Sequence, residues 1–408
     1  MIGPDPRLVA APWRTAPASV TLLDALEADG CPARFVGGCV RDALAARPRP
    51  VLDVDLCTPE PPVRVLDLLD RAAIRAIPSG LDHGTVTAIV DGRSFEVTTL
   101  RIDVATDGRH ATVAFTDDFD ADAARRDFTF NAMSCDRVGA LFDPFQGDAD
   151  LAAGRVRFVG DAATRIAEDR LRVLRYFRFF AGFGEALPDD STRAALVAGA
   201  QALGALSGER IWQELRKLLE TPDPRAAVAL MADFGVLEAV LGIDVGRGTF
   251  DGLVPLETEP DAIRRLASLL RDRPDATGSL ASCLRLGRTD AERLERLVHV
   301  PAVSPAELTA AELRRLLYRH GADGVLTAGL FAIAPTGSID ASDWHARVAR
   351  TPVPAFPLRG QDALDRGVPP GPTVGALLAE VERWWLDGGC AAPRDACLDD
   401  LARRLRQP

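Results

Sequence analysis

A short stretch near the amino end of the chain, residues 34–58, sets the strongest constraint on the fold. Its first apolar run ends in Gly37 and Gly38, a helix-like segment follows, and a second apolar run carries Asp53 and Asp55. Residues i and i+2 of a strand point to the same side, so the two carboxylates are expected to project from one face. Two like charges held that close repel each other unless a cation lies between them, and a divalent metal is the usual cation.

The glycines and the arginine behind them add a second feature. Gly37 and Gly38 let backbone N–H groups approach a phosphate, and Arg41 can bind phosphate oxygens through two donors. Taken singly, an Asp-x-Asp is more often a solvated strand edge, and a Gly-Gly is more often a tight turn. The prediction of a site for a metal and a nucleotide therefore depends on the order of elements: strand, Gly-Gly, helix start with arginine, and strand with Asp-x-Asp.

Composition limits the class of protein. The 408 residues leave room for two or more domains, and the sequence has neither a basic amino-terminal patch followed by an apolar run nor an apolar run of 18 residues. We therefore expect a cytoplasmic protein that does not enter a membrane. The seven cysteines are scattered without a Cys-x-x-Cys pair, which favours reduced thiols over disulfides or zinc. A net charge of −11 argues against indiscriminate coating of nucleic acid but leaves a local basic groove open.

Hydrophobic periodicity divides the chain into a mixed part and a helical part. Residues 84–90 and 94–101 are β-rich runs on either side of Asp91-Gly92, a typical hairpin turn. Helical spacing dominates beyond residue 139, with helices predicted at about residues 162–182, 191–204, 209–220, 224–240, 260–271, 278–298, 305–320, 323–332, 340–349 and 373–387. The predicted fold class is α+β, with a small mixed β-sheet in a head over 1–140, an all-α neck over 141–222, and an all-α body and tail over 223–408.

The stretch around the glycines resembles a motif of one enzyme family. Residues 37–42, Gly-Gly-Cys-Val-Arg-Asp, together with Asp53 and Asp55, resemble the first motif of the class II nucleotidyltransferases, the family of bacterial CCA-adding enzymes and poly(A) polymerases. The segment from Arg41 to Asp53 is about two residues longer than is usual in that family. The resemblance implies a nucleotidyltransferase head over residues 1–140, in which Asp53 and Asp55 hold two Mg²⁺ ions.

Further residues of the head match the same family. Residues 125–132, Arg-Arg-Asp-Phe-Thr-Phe-Asn-Ala, closely resemble its second motif. Paired arginines beside a metal-phosphate site offer positive charge to the nucleotide, and of the two we favour Arg126 over Arg125 as the nucleotide contact. The resemblance also makes Glu96 a third carboxylate beside the aspartate pair; otherwise Glu96 pairs with Arg101 or with solvent.

A pair of residues in the predicted helix 162–182 suggests how a base is chosen. Asp169 and Arg172 are three apart, so on a helix they present an acceptor and donors side by side. The carboxylate can accept from the exocyclic amine of cytosine or adenine while the guanidinium donates to the adjacent ring nitrogen; guanine and uracil offer a carbonyl and a ring N–H there. The pair predicts selection of CTP and ATP without a template. The alternative is a salt-bridge ladder along one helix.

Two more arginines follow on the same predicted helix. Arg175 lies one step round it and can reach nucleotide phosphates, and the resemblance assigns Arg178 to the nucleotide site as well. Helical geometry, however, turns Arg178 almost to the opposite side from Asp169. Farther along, Arg210 and Glu214 have the i,i+4 spacing of an ion pair, and we interpret this stretch as scaffold for the neck.

The resemblance implies one reaction, the template-independent addition of CMP and AMP, from CTP and ATP, to the 3′ end of tRNA by a two-metal mechanism with Mg²⁺. The alternatives are a poly(A) polymerase and an A-adding or CC-adding specialist of the same family. The expected partners are the 3′ end of tRNA, ATP and CTP, and the chain is expected to be a monomer, with a dimer left open. The residues assigned are catalytic Asp53, Asp55 and Glu96, of which the two aspartates bind metal, and nucleotide-binding Gly37, Gly38, Arg41, Arg126, Asp169, Arg172, Arg175 and Arg178.

Overall fold

The computed structural model describes residues 3–45, 53–106, 111–338 and 340–406. Part of the segment between Arg41 and Asp53, for which an unusual length was predicted, lies outside these residues. The chain forms two compact units, Met1–Leu218 with Ala226–Val240, and Leu219–Arg225 with Leu241–Pro408. The finer division into head, neck, body and tail stays a prediction.

The described residues form nine strands, and seven of them make one mixed sheet in the first unit. In chain order the strands are β1 (Arg34–Val36), β2 (Asp55–Thr58), β3 (Arg75–Gly80), β4 (Thr85–Val90), β5 (Arg93–Thr99), β6 (Arg101–Thr106), β7 (Ala111–Phe115), β8 (Ser134–Cys135) and β9 (Leu141–Phe142). The sheet order is β3-β4-β5-β2-β1-β8-β9, and β6 and β7 form a separate pair. Because β2 and β5 run parallel while the neighbouring pairs are antiparallel, the predicted mixed sheet is confirmed.

Turn chemistry fixes two of the connections. The predicted hairpin is confirmed: β4 and β5 flank Asp91 (φ 50°) and Gly92 (φ 75°), and two successive positive φ angles match the twist of paired strands. At the end of β1, Gly37 has φ 72° and ψ −126°, a conformation that residues with side chains disfavour. The chain enters the helix Gly38–Leu44 directly after it, so the backbone turns sharply at the two glycines.

Helices make up most of the remaining chain as far as residue 241. They are α1 (Pro6–Val9), α2 (Pro12–Thr15), α3 (Pro17–Leu26), α4 (Gly38–Leu44), α5 (Pro62–Arg71), α6 (Phe119–Ala124), α7 (Gly147–Ala152), α8 (Ala162–Glu168), α9 (Arg172–Phe183), α10 (Asp190–Ala200), α11 (Gly208–Leu219), α12 (Arg225–Asp233) and α13 (Val236–Leu241). Proline opens α1, α2, α3 and α5, where its fixed φ suits the first turn and its missing N–H costs no helical hydrogen bond.

The predicted continuous helix over residues 162–182 is wrong. α8 ends at Glu168, Asp169 is extended (φ −146°, ψ 108°), and α9 begins at Arg172. The Asp169 carboxylate accepts a hydrogen bond from the Leu171 N–H at 3.1 Å, so a short polar side chain starts a new helix instead of continuing the old one. The break removes the i,i+3 geometry that was expected for Asp169 and Arg172.

An aromatic cluster joins α9 to the segment of the second motif. Phe128 packs against Phe158, Tyr176 and Phe179, with ring centroids 4.7, 6.2 and 5.2 Å away, and Phe130 packs against Phe179 at 5.3 Å. Burial of a ring of this size contributes roughly 1.5–3 kcal/mol. The cluster therefore holds α9 firmly against the second motif.

The second unit is helical in the residues that the structure describes. Its helices are α14 (Gly248–Leu253), α15 (Ala262–Leu269), α16 (Thr277–Cys283), α17 (Arg288–His299), α18 (Ala310–Ile333), α19 (Ser342–Arg350), α20 (Gly360–Leu364), α21 (Pro372–Asp387) and α22 (Arg394–Leu405). The predicted helices 305–320 and 323–332 correspond to the two parts of α18, which is broken by the non-helical Gly321 (φ 68°, ψ 173°), whereas 224–240 and 278–298 are each two shorter helices. The predicted α+β class is confirmed. Within the described ranges, no helix has the length and apolar character needed to cross a membrane.

Candidate active site

Asp55 and Glu96 lie side by side on two parallel strands. Asp55 begins β2 and is the direct partner of Glu96 in β5. Asp53 precedes the strand and is exposed, and it is close enough for its charge to act on Asp55. Arg101, the alternative partner of Glu96, donates to a backbone carbonyl oxygen. The structure thus brings the three predicted carboxylates together.

The electrostatics of this carboxylate group favour a cation. Burial, followed by the neighbouring charges of Glu96 and Asp53, raises the pKa of Asp55 to about 6, against the lowering effect of Arg126. A divalent ion relieves such repulsion, and hard ions prefer carboxylate oxygens. Over the ranges that the structure describes, no group of three or more His, Cys, Asp or Glu side chains is placed to hold a metal ion by itself. The residues therefore fit a metal that takes one or two carboxylates and completes its shell with water and phosphate oxygens.

The Gly37-Gly38 turn runs between two arginines. A Cβ at Gly37 would lie 3.6 Å from Arg126 Nη1, and a Cβ at Gly38 would lie 3.7 Å from Arg41 Nη2. Arg41 Nη1 donates to the side-chain oxygen of Asn131 at 2.8 Å, which fixes this guanidinium beside the turn. The predicted glycines and two of the predicted nucleotide-binding arginines are therefore neighbours.

Asp122, which the sequence prediction missed, holds both arginines of the second motif. Asp122 is 2% exposed; its Oδ1 accepts from Arg125 Nη2 at 2.7 Å, and its Oδ2 accepts from Arg126 Nη2 at 3.1 Å. Burial raises the pKa of Asp122, but the charges of Arg126 and Arg125 outweigh burial and keep this pKa below its ordinary value. The i,i+3 and i,i+4 spacing of Asp122 to the two arginines is the sequence signal that points to it.

Asp127 links the second motif to α9. It is buried, accepts from Asn131 Nδ2 and from the Phe128 N–H at 2.9 Å each, and accepts from Arg175 Nε at 2.7 Å. Because the side-chain oxygen of Asn131 accepts from Arg41, a continuous chain of hydrogen bonds joins Arg41, Asn131, Asp127 and Arg175. Such a network fixes Arg175 relative to the first motif.

Asp169 and Arg172 have separate partners, contrary to the prediction from helical spacing. Asp169 accepts from Arg210 Nη2 at 3.0 and 3.2 Å, whereas Arg172 Nη1 donates to Glu168 Oε2 at 2.5 Å. Glu168 also accepts from Arg165 at 2.9 Å, so part of the ladder expected under the alternative interpretation is present. Base selection by Asp169 and Arg172 stays a prediction.

The predicted ion pair between Arg210 and Glu214 is wrong. Arg210 pairs with Asp169, while Glu214, which is 5% exposed, lies 3.1 Å from Arg178 Nε and 3.7 Å from Arg175 Nη1. A buried charge without a partner is costly, and the arginines of α9 supply the positive charge that compensates Glu214. Arg210, which was assigned to scaffold, therefore contacts a predicted base-reading residue.

Three arginines surround the ring of Phe179. The guanidinium carbons of Arg178, Arg41 and Arg175 lie 4.3, 5.2 and 5.6 Å from the ring centroid. Burial lowers the pKa of Arg178 to about 10; Glu214 opposes this shift, and the charges of Arg175 and Arg41 add to it. Arg178, which helical geometry had turned away, thus belongs to the cluster. A cluster of cations this dense suits a polyanionic ligand such as a triphosphate.

Comparisons with known proteins agree with this arrangement. Residues 33–157 match a family model described as the Poly A polymerase head domain, and residues 188–242 match one described as the probable RNA and SrmB-binding site of polymerase A. Similar proteins include CCA tRNA nucleotidyltransferase 1, mitochondrial, of Mus musculus, 35% identical over 397 residues that cover 91% of this chain and 86% of the relative. They also include the CCA-adding enzyme of Streptococcus gordonii, 32% identical over 91% of this chain and 93% of the relative.

A solved structure extends the likeness to the whole fold. The CCA-adding enzyme of Bacillus stearothermophilus in complex with CTP is similar over 97% of this chain and 98% of that chain, with a TM-score of 0.79 and 28% identity. The fold and the carboxylate site define the class of protein as a nucleotidyltransferase. The chain belongs to the class II nucleotidyltransferases of the CCA-adding and poly(A) polymerase type, a family that generally uses a divalent metal. The resemblance found in the sequence is confirmed.

Proposed function

We propose that this chain adds CCA to the 3′ end of tRNA, taking CMP and AMP from CTP and ATP and releasing pyrophosphate. The observation that carries the proposal is the Asp55–Glu96 pair beside the Gly37-Gly38 turn. It is supported by similarity over 91% of the chain to proteins named as CCA-adding enzymes. Protein side chains would take the place of a template strand.

Asp53 and Asp55 are proposed as the ligands of two Mg²⁺ ions, with Glu96 as a third catalytic carboxylate. When bound, the ions would activate the RNA 3′ hydroxyl and neutralise charge on the triphosphate and on the leaving pyrophosphate. The register of β2 against β5 fixes where Asp55 and Glu96 lie. Backbone N–H groups at Gly37 and Gly38 are proposed to bind phosphate oxygens.

The arginines are proposed to bind the phosphates and the sugar of the nucleotide. Arg41 and Arg126 flank the glycine turn, and Arg175 and Arg178 lie against Phe179. A guanidinium group suits phosphate because it can donate two parallel hydrogen bonds. Since carboxylate and amide groups already hold these arginines, little ordering is required when a nucleotide binds.

Asp169 and Arg172 are proposed to read the base. Together they offer an acceptor and donors that complement the pairing edges of cytosine and adenine and refuse those of guanine and uracil. Arg210 Nη2 lies 3.0 Å from the Asp169 carboxylate, so an incoming base has to share that carboxylate with Arg210 or displace it. Arg172 would in the same way give up part of its bonding to Glu168.

The helical parts are proposed to bind tRNA. In this division residues 1–140 form the catalytic head, 141–222 a neck that carries the base-reading pair, and 223–408 a body and tail for RNA. The match of residues 188–242 to an RNA-binding family model supports the assignment. Structured RNA is bound mainly by shape and backbone contacts, which helices can supply. The proposal includes a monomer that works in the cytoplasm.

The test uses the purified chain with tRNA transcripts that end before CCA, after C and after CC, and with labelled CTP or ATP. Growth that stops at CCA on all three transcripts supports the proposal. An unbounded A tail would identify a poly(A) polymerase, and addition limited to A or to CC would identify a specialist. Either of these results contradicts the proposal.

A further inference from the structure

Asp122 binds two neighbouring arginines in the same way. Its Oδ1 accepts from Nε and Nη2 of Arg125 at 2.9 and 2.7 Å, and its Oδ2 accepts from Nε and Nη2 of Arg126 at 3.4 and 3.1 Å. Each guanidinium therefore presents the same edge to the carboxylate and keeps Nη1 for another ligand. Among the residues that the structure describes, neither Nη1 atom has a hydrogen-bond partner.

The pairing is buried and is tied to the backbone. Asp122 is 2% exposed, and its Oδ1 also accepts from the Arg101 N–H at 3.2 Å, where β6 begins. The side chains of Arg125 and Arg126 are 16% and 19% exposed. A buried carboxylate that is fully bonded has little freedom to move, so the two guanidinium groups that it binds are held in place as well.

The free edge of Arg126 lies toward the catalytic residues. Its Nη1 is 3.6 Å from the position that a Cβ at Gly37 would take, and its charge acts on Asp55. Arg125 is linked to the base-reading side, because its carbonyl oxygen accepts from Arg172 Nη2 at 3.4 Å. Asp122 therefore holds the Nε and Nη2 edge of Arg126, while Nη1 on the other edge lies at the Gly37 turn.

We propose that Asp122 is a positioning residue for the triphosphate of the nucleotide, acting through Arg125 and Arg126; this rests on the proposed function. By binding one edge of each guanidinium, Asp122 leaves Nη1 of both arginines available and holds that of Arg126 beside the Gly37 turn, where phosphate oxygens are proposed to bind, without rearrangement. It also keeps Arg126 from forming an ion pair with Asp55. A pair between those two residues would take a cation from the phosphate and a carboxylate from the metal.

The test compares Asp122→Asn with Asp118→Ala. The amide presents an NH₂ group to one guanidinium, so we expect KM for CTP and ATP to rise about 10- to 100-fold with KM for tRNA unchanged. Asp118 is the matched control: it caps α6 through the N–H groups of Asp120 and Ala121, so its loss weakens the helix and leaves the Asp122 contacts in place. The control is expected to have a lowered Tm and wild-type KM values for both nucleotides. If Asp122→Asn gives the same result, the proposal is overturned.

A multiple-variant cycle separates positioning from general stability. If Asp122 acts through the arginines, Asp122→Asn costs little further nucleotide affinity when Arg125 and Arg126 are both replaced by alanine; full additivity overturns the proposal. Affinity is measured by titration with CTP and ATP as well as by turnover.

A wild-type chain that binds nucleotide without extending tRNA contradicts the proposed reaction, and the Asp122 test still holds. If Asp122→Asn does not melt cooperatively, Asp122→Glu, which keeps the charge but shifts it by one methylene group, replaces it with the same two outcomes.

Discussion

Arg210 and Asp169 form an ion pair, with Arg210 Nη2 3.0 Å from one carboxylate oxygen and 3.2 Å from the other. The carboxylate that is proposed to read the base therefore already has a cationic partner within the protein. The two side chains are 30% and 29% exposed, so water and ligands can reach the pair and its net strength is modest. We therefore expect that a base can displace Arg210 from Asp169 at small cost.

Asp169→Asn is predicted to weaken the rejection of UTP and GTP. The amide oxygen can still accept from the Leu171 N–H, but the amide NH₂ group can donate to the carbonyl oxygens of uracil and guanine. We expect the ratio of kcat/KM for CTP over UTP to fall about 5- to 150-fold, because one base contact is worth roughly 1–3 kcal/mol of discrimination. Incorporation of each labelled nucleotide into tRNA lacking CCA measures the ratio. Asp161→Asn, at the start of α8, is the control. An active Asp169→Asn variant with an unchanged ratio would count against the base-reading role.

Glu214→Gln is predicted to destabilise the first unit. Glu214 is 5% exposed and lies 3.1 Å from Arg178 Nε, so a neutral amide leaves a half-buried guanidinium without its charge partner. We expect the free energy of unfolding to fall by about 3–5 kcal/mol, measured by urea denaturation. Glu209→Gln, an exposed change on the same helix, is expected to stay within about 0.5 kcal/mol of the wild type. Equal losses of unfolding free energy in the two variants would show that Glu214 does not compensate the positive charge of the arginines.

Asp261→Asn is predicted to cost stability at neutral pH and to cost progressively less in acid. Asp261 caps α15 by accepting from the Arg264 N–H at 2.9 Å, and Asn can cap as well, so the substitution isolates the charge. Burial raises the pKa of Asp261, but hydrogen bonds from Arg293 and the Arg264 N–H, with the charges of both arginines, bring this pKa below its ordinary value of 3.8. Because the pKa is lower in the folded state, the stabilisation is complete above pH 3.8 and is lost as the pH falls through the folded value.

Urea denaturation of both proteins from pH 7 to pH 3 measures this difference. The difference in the free energy of unfolding between wild type and Asp261→Asn should narrow as the pH approaches 3. This difference should be small at every pH in an Arg293→Gln background, since Arg293 donates to Asp261 at 3.0 Å. A gap that is constant across the range, or that widens in acid, means that the carboxylate charge does not stabilise the fold.

The features that the sequence predicted correctly are set by neighbouring residues. The sharp turn at Gly37 and the hairpin at Asp91 and Gly92 follow from backbone preferences of the residues in the turn. The second motif could be recognised from consecutive residues alone. Local chemistry is therefore sufficient to locate the carboxylates and the glycine turn in the sequence.

The features that were missed depend on segments far apart in the chain. Asp169 pairs with Arg210, and Glu214 pairs with Arg178, because folding brings different helices together and burial decides between possible partners. Spacing within one helix carries no information about such a choice. The edge strand β3 (75–80) escaped prediction for another reason: it is mostly exposed, so it lacks the apolar alternation by which strands are found.

Asp55→Asn tests the central claim most directly, with the rate of nucleotide addition to tRNA lacking CCA as the measurement. Asp55 is the carboxylate paired in register with Glu96, and the metal that it is proposed to hold is worth several kcal/mol of charge stabilisation. We predict that the rate falls about 1,000-fold with Tm close to the wild type, while Asp91→Asn, in the exposed hairpin turn of the same sheet, keeps the wild-type rate. A folded Asp55→Asn variant that still extends tRNA at the wild-type rate would contradict the account.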